Sequence, residues 1–408
     1  MRVAIFSDTH LGFKAFGREQ ESFENAEQAF GIALDNKADV ILIAGDIFNE
    51  VTPSTDVLVG AFQLFSKAKT SKKDIKIGVS SKKQVIEEIV AGIPIILIHG
   101  NHEFRGKDYT NVLHLYSKSG FAFYLHAETA VLEKGNEKLA VHALGGVPEQ
   151  KALDALKLWN PKPVESAVNI LLLHQNFKEF SPVEDEMVAT LSLDDLPNGF
   201  DLIASGHLHW TVKQKLGKTT FLLAGSTICT QMKKVEQENR KGVHLFETQA
   251  KTIEFIPLPV QRNLFYHKIS FEEAKPEQVI HKIHEAIEKD LKEGNALPPL
   301  IRLKLVGNLS KGISLADIDL KAVEEKFRGK AIMSVSKEFS TTAFKKKIAE
   351  LRQIQQSKQS ISSIGLSILE KNLKETDFND AFEVKRIFDL LAEDETDKVS
   401  EILSRRKK

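Results

Sequence analysis

Apolar residues come in two rhythms along this chain. Short β-branched runs recur in its first half: VAIF at 3–6, VILIA at 40–44, IPIILI at 93–98 and NILLL at 169–173. Between them the spacing changes to that of helices. Residues 19–36 place Phe23, Ala26, Phe30, Ala33 and Leu34 on one helical face. Residues 56–68 predict a second helix, capped at Ser54 or Thr55. KKQVIEEIVAG at 82–92 predicts a third, and the lysine-rich 69–77 a loop or short hairpin. Such alternation implies a mainly parallel sheet covered by helices. From about residue 120 the strand-like runs crowd together, which favours antiparallel pairing and a second sheet, hence a two-sheet α/β sandwich.

The pattern changes at P-L-P-V-Q-R, 257–262. Beyond it a strand (265–271), a helix (276–293), a strand (300–307), a helix (315–328) and a strand (331–339) suit a small separate domain. Residues 341–360 are polar and lysine-rich and read as a linker. The tail, 361–408, predicts two or three short amphipathic helices, too few for a core of their own, so they are expected to dock on a partner.

Composition narrows this little. Of 408 residues, 42% are apolar and 27% charged, with a net charge of zero, so no global basic field draws in nucleic acid. DNA binding would need local Lys/Arg patches or bound metal. The single cysteine, Cys229, excludes an internal disulfide and a Cys-rich zinc site, and reads as a small core residue of a protein in a reducing compartment. No apolar stretch approaches the roughly 20 residues of a membrane span. The chain starts directly on a strand, without a signal-peptide pattern, and a cytoplasmic location is expected.

The candidate chemistry sits at the ends of the apolar runs. S-D-T-H holds Asp8 and His10, A-G-D holds Asp46, H-G-N-H-E holds Asn101 and His102, L-H-Q holds His174, and S-G-H-L-H holds His207 and His209. Open α/β sheets bind ligands at strand ends. Each cluster alone is common, and lone strand histidines such as His99 and His142 read as core residues. Together, seven carboxylate, imidazole and amide donors suit two divalent ions. The partition expected gives one ion Asp8, His10 and His209, the other Asn101, His174 and His207, with Asp46 bridging. Two ions about 3.5–4 Å apart activate water and neutralise phosphate charge. This donor set fits Mn²⁺, Fe²⁺, Zn²⁺ or Mg²⁺, with Mn²⁺ favoured by the absence of thiolate. His102, left free of metal, is placed to protonate a leaving oxygen.

In this order the motifs D-x-H, G-D, G-N-H-E, H and G-H-x-H resemble the calcineurin-like metallophosphoesterases. S-D-T-H-L-G-F, A-G-D-I-F-N, L-H-Q-N and A-S-G-H-L-H followed by A-G-S resemble the SbcD-type nuclease subunit of double-strand-break repair complexes. The resemblance implies an αββα sandwich over 1–260, a smaller β/α capping domain that binds DNA over 261–340, a linker over 341–360, and a C-terminal helical tail over 361–408 that grips an SMC-like coiled-coil ABC ATPase. It also implies a Mn²⁺-dependent 3′–5′ exonuclease and single-strand or hairpin endonuclease, in a prokaryotic cytoplasm beside the nucleoid. A homodimer built on 54–68 or 108–120 is expected. The seven donors carry over as metal ligands and His102 as the catalytic histidine. Many relatives carry a histidine three residues after the bridging aspartate; here Asn49 stands there, able to donate a hydrogen bond but not a proton. Glu103 replaces a commoner aspartate, and 66–92 is longer than expected.

Lys14, Arg18, Arg105 and Lys107 follow the first and third motifs and are candidate phosphate contacts, with solvated surface charge as the alternative. G-K-T-T at 217–220 lacks the earlier glycine of a phosphate loop, Val212 standing there, and is set aside. Lys345–Lys347 and Arg405–Lys408 read as solvated charge. The competing functions are a phosphoesterase acting on a phosphoprotein or cyclic nucleotide, and a non-catalytic scaffold, which intact metal clusters argue against.

Overall fold

The computed structural model describes residues 1–70, 75–80, 85–90, 92–105, 110–181 and 190–339, with 366, 384–392, 395, 396, 398, 399 and 402. The expected linker at 341–360, most of the tail, Lys107 and both terminal lysine-rich runs lie outside these residues.

The first stretch runs β1 (Arg2–Phe6), α1 (Glu19–Asp35), β2 (Val40–Ile43), α2 (Thr55–Lys69), β3 (Ile75–Ser80), β4 (Val85–Val90), β5 (Ile95–Leu97), α3 (Leu113–Lys118) and β6 (Phe123–Tyr124). Ser54 caps α2, accepting from Val57 N at 3.5 Å. There follow β7 (Glu128–Lys134), β8 (Glu137–Leu144), α4 (Glu149–Trp159), β9 (Val168–His174), β10 (Leu202–Gly206), β11 (Val212–Leu216), β12 (Thr219–Leu223), α5 (Lys234–Gln237), β13 (Gly242–Glu247) and β14 (Thr252–Pro257). Last come β15 (Leu264–Ala274), α6 (Pro276–Asp290), β16 (Leu300–Leu309), α7 (Leu320–Phe327) and β17 (Ile332–Phe339), then a helix at Val384–Ala392.

Three sheets result, ordered β14-β13-β1-β2-β5-β6, β11-β12-β10-β9-β8-β7-β3-β4 and β15-β16-β17. The first two form an α/β two-sheet sandwich, and strand alternation explains it. Val3 and Ile5 of β1, with Leu42 and Ile96, pack on Val141, Ile170 and Leu202 of the second sheet. Ala4 and Phe6 point the other way, into a core with Phe30 of α1 and Phe65 of α2. The outer face of the second sheet buries Leu171, Leu173 and Ile203 with Leu156 of α4. Helices therefore cover both outer faces, the αββα order. By compactness, Met1–Lys268, His281–Lys304 and Leu320–Ser336 make one unit; Ile269–Ile280, Leu305–Asp319 and the described residues from Lys337 on make another. In the latter the Phe271 and Phe339 rings meet at 5.7 Å.

Two expectations fail. The helix predicted over 82–92 is strand β4, paired antiparallel with β3 from Ile75↔Val90 to Ser80↔Val85. VIEEIV satisfies a helical stripe, but its β-branched residues suit a strand, and β3 supplies the partner by pairing also with β7. The long 66–92 segment thus adds a hairpin to the edge of the second sheet. The second sheet is not antiparallel at its centre either, because β8, β9, β10 and β12 run parallel. Its central runs NILLL and LIAS are buried, as parallel strands covered on both faces are.

Candidate metal centre

Parallel pairing brings the motifs to one edge. β1 and β2 lie side by side, and the chain beyond them stays zipped: Asp8 N donates to Gly45 O at 3.0 Å and His10 N to Asp46 O at 3.1 Å. On the second sheet β9 and β10 align His174 with Gly206, one residue before His207. Four of the candidate ligands take left-handed backbone angles, Asp8 at φ 50°, His10 at 43°, Asp46 at 48° and His207 at 85°. Such angles are rare outside glycine and gather at functional sites. Close approach also fixes two glycines: a Cβ on Gly100 would stand 2.1 Å from Asp46 Oδ1, and one on Gly206 2.1 Å from Ser7 Oγ.

Three sets of donor atoms lie within 4.8 Å of one another: Asp8, His10 and His209; Asp46, His174 and His207; and His10, Asp46 and His102. In the first set His10 Nε2 faces His209 Nε2 at 3.2 Å and His209 Nε2 lies 3.7 Å from Asp8 Oδ1. In the second, His174 Nε2 stands 3.3 Å from Asp46 Oδ2. Its Nδ1 donates to Ala44 O at 2.7 Å, which fixes the tautomer and leaves Nε2 free for a ligand. Asn101 is exposed, its amide nitrogen 3.2 Å from His207 Nδ1. His102 N donates to Asp46 Oδ1 at 2.9 Å, and His102 Nδ1 to Asn49 O at 2.6 Å, which directs Nε2 away from that anchor.

The electrostatics ask for a cation. Burial pushes the Asp8 carboxyl up to about 7, against the pull of His174, and Asp46 pushes the same way. Burial likewise disfavours charge on His174, yet Asp46 beside it raises the ring to about 10. Asp46 stays far below the usual carboxylate range despite burial, held by His174, His10 and His102. Burial keeps His10 and His207 neutral, down to about 4, and His209 well below its ordinary value. Neutral imidazoles and carboxylates are the forms that bind metal, so a bound cation would replace the protons that Asp8 and His174 otherwise hold. The buried atom His10 Nδ1 has no hydrogen-bond partner, and His174 Nε2 has only the Asp46 carboxylate beside it. These donors, oxygen and imidazole without thiolate, fit divalent ions of the Mn²⁺, Fe²⁺ or Zn²⁺ kind.

The remaining sequence candidates have other engagements. Glu103, fully buried, accepts from Phe48 N at 2.7 Å and Gly100 N at 2.8 Å, so it ties the Asp46 and Asn101 loops together. Asn49 meets His102 through its backbone carbonyl. Lys14 Nζ lies 3.6 Å from Glu50 with both side chains exposed. Arg105 bonds Thr52 Oγ1 and Val51 O. Arg18 is neither a phosphate contact nor solvated charge: it is 2% exposed, pairs with Glu21 at 2.6 Å and donates to Cys229 O at 2.8 Å. Sequence reasoning missed Glu149, 3.9 Å from His207 Nε2, and Thr230, whose hydroxyl is 3.0 Å from His209 Nδ1. Neither has a motif that could have shown it.

The chain resembles known proteins over this region. It is 28% identical over 255 residues to the DNA double-strand break repair protein Mre11 of Saccharolobus solfataricus, a match covering 60% of each chain. It is 26% identical over 344 residues to the double-strand break repair protein MRE11 of Encephalitozoon cuniculi, covering 79% of this chain and 57% of that one. The matches therefore span less than two thirds of the length of these relatives. Among solved structures an archaeal phosphodiesterase aligns with a TM-score of 0.31 and 12% identity, over 63% of this chain and all of that one. No described helix is long and apolar enough to cross a membrane. A model of the calcineurin-like phosphoesterases matches residues 1–211, a span holding all seven candidate ligands and His102, and the chain belongs to that family.

Proposed function

We propose that this protein is a Mn²⁺-dependent DNA nuclease of a double-strand-break repair complex, a 3′–5′ exonuclease on duplex ends and an endonuclease on single strands and hairpins. The observation that carries the reading is the meeting of Asp8, His10, Asp46, His174, His207 and His209 in overlapping donor sets at one edge of two sheets. The names of the relatives direct it to broken DNA. Bound divalent ions supply Lewis-acid polarisation of phosphate and acidify water. The chain's own residues do the rest. Asp46 belongs to two of the three sets and holds them in common. Asn101 completes the set of His174 and His207. His102, steadied by the Asn49 carbonyl and the Asp46 carboxylate, turns Nε2 to the centre and protonates the leaving oxygen. Lys14, Arg105 and Asn49 position the substrate.

Residues 1–260 form the nuclease domain, 261–340 the capping domain that contacts DNA, and 341–360 the linker. In 361–408 helices dock on an SMC-like ABC ATPase, in keeping with the half-exposed Leu391 of the helix at Val384–Ala392. The protein works as a homodimer in a prokaryotic cytoplasm, beside the nucleoid. The test is cleavage of linear duplex, hairpin and single-stranded DNA with Mn²⁺. His102→Ser should keep metal but cut about 10²–10⁴-fold more slowly. Hydrolysis of a small phosphodiester without cleavage of any DNA sinks the nuclease assignment. Normal cutting by His102→Ser sinks the proton-donor role.

A further inference from the structure

Behind His209 lies a buried lysine that the sequence motifs do not include. Lys241 directly precedes β13 in the first sheet, while His209 follows β10 in the second. The lysine is 6% exposed. Its ammonium has three donors, and three acceptors meet it: His209 O at 2.7 Å, Ser226 Oγ at 2.9 Å and Glu236 Oε1 at 2.9 Å. Its backbone is pinned as well, since Lys241 N donates to Gln261 Oε1 and Lys241 O accepts from Leu258 N, both at 2.8 Å. Glu236 is 3% exposed and also accepts from Lys233 N at 3.2 Å, which places it as the fixed counter-charge of the lysine. From the other side the Thr230 hydroxyl stands 3.0 Å from His209 Nδ1. Lys241, Ser226, Glu236 and Thr230 all lie beyond 211, where the family match ends.

The arrangement controls two different freedoms of one ligand. The Lys241 bond sets where the His209 backbone sits, and so how closely the second sheet's ligand approaches Asp8 and His10 of the first. The Thr230 contact sets ring rotation and, with a proton on Nδ1, leaves the Nε2 lone pair toward His10. The chain needs such a hold here, because His207, two residues earlier, has a φ of 85°. The other donor set has its own tie between sheets, His174 Nδ1 to Ala44 O. That tie comes from the ligand ring itself, whereas His209 depends on a lysine 32 residues away in sequence.

We propose that Lys241, held by Glu236, and Thr230 are positioning residues for His209, which select the place and tautomer of that ligand and so control the ion held by Asp8, His10 and His209. This rests on the two-metal reading above. A buried ion pair broken on one side leaves an uncompensated charge and can prevent folding, so the pair is removed together. Titration of the full-length Lys241→Met/Glu236→Gln variant with Mn²⁺ should show one ion bound as in the wild type. The other should bind about 10- to 100-fold more weakly, the usual effect of losing an outer partner of a ligand. Electron paramagnetic resonance should change from the spectrum of two coupled Mn²⁺ ions to that of an isolated one at matched loading. Thr230→Val, which removes only the hydroxyl and leaves the ion pair intact, should act in the same direction, and Thr230→Ser should restore the coupled spectrum. Variants that keep both ions at wild-type affinity with a coupled spectrum overturn the proposal, and so does equal weakening of both ions. A wild-type protein that never shows a coupled pair refutes the two-metal reading itself, a different outcome from either.

Discussion

The two halves of the centre differ in how far water can reach them. Asp8, His10 and His209 are all buried. Beside the equally buried Asp46 and His174, however, the His207 side chain is 24% exposed and Asn101 is exposed. One half is set into the join between the sheets. The other opens outward where Glu149 and Asn101 stand beside His207. The difference teaches that ligand type alone does not define a site. Similar imidazole and carboxylate donors can form one enclosed position and one that solvent and substrate can approach.

The largest effect should come from erasing the distinction. Asp46 shares one donor set with His174 and His207 and another with His10, so Asp46→Asn should weaken ion binding in both halves and lower hydrolysis by more than about 100-fold. Calorimetric Mn²⁺ titration with an activity assay checks it, and loss of one ion alone would show that Asp46 serves only one half. A smaller, asymmetric effect should separate the halves. His207→Ala leaves a place that water can fill, so excess Mn²⁺ should recover much of its activity. His10→Ala leaves a buried gap, and excess Mn²⁺ should recover little. Equal recovery would mean that enclosure does not govern exchange.

The smallest effect concerns pH in protein stripped of metal. Asp8 raised to about 7, Glu103 raised by burial to about 8 and His174 raised to about 10 all bind more proton folded than unfolded. Each therefore loses stabilising power as pH rises toward its folded value. The histidines held low act in the opposite direction only below their model value of 6.5, and Asp46 stays ionised throughout. Between pH 6.5 and 8 the melting temperature of chelated protein should fall. Mn²⁺ should flatten that fall, because it stabilises the deprotonated ligands. An unchanged slope with and without metal would indicate that the cluster does not bind the ion.

Much of this was legible before folding, for identifiable reasons. Candidate ligands that close a strand, as His174 does, or follow its end by one to four residues announce themselves, because parallel pairing in register brings strand ends together. Phe6 and Ile5 of β1 could be assigned opposite faces from alternation alone. What failed was decided by partners. VIEEIV at 85–90 fits both periods, and only pairing with β3 makes it a strand. The parallel centre of the second sheet was missed because the crowded runs were read as hairpins, although the crossings are long: 145–167, with α4, joins β8 to β9, and 175–201 joins β9 to β10. Thr230 and Lys241 were invisible for another reason. They act through the ring and carbonyl of His209, and no sequence spacing marks contacts made over 21 and 32 residues.

The left-handed backbones of Asp8, His10, Asp46 and His207 have a consequence in time. Each such residue costs on the order of 1–3 kcal/mol, and the surrounding sheets must hold it there. That cost falls on folding, which happens once. An arriving ion then meets these four residues already held in place. What such an ion must still give up is its own hydration water.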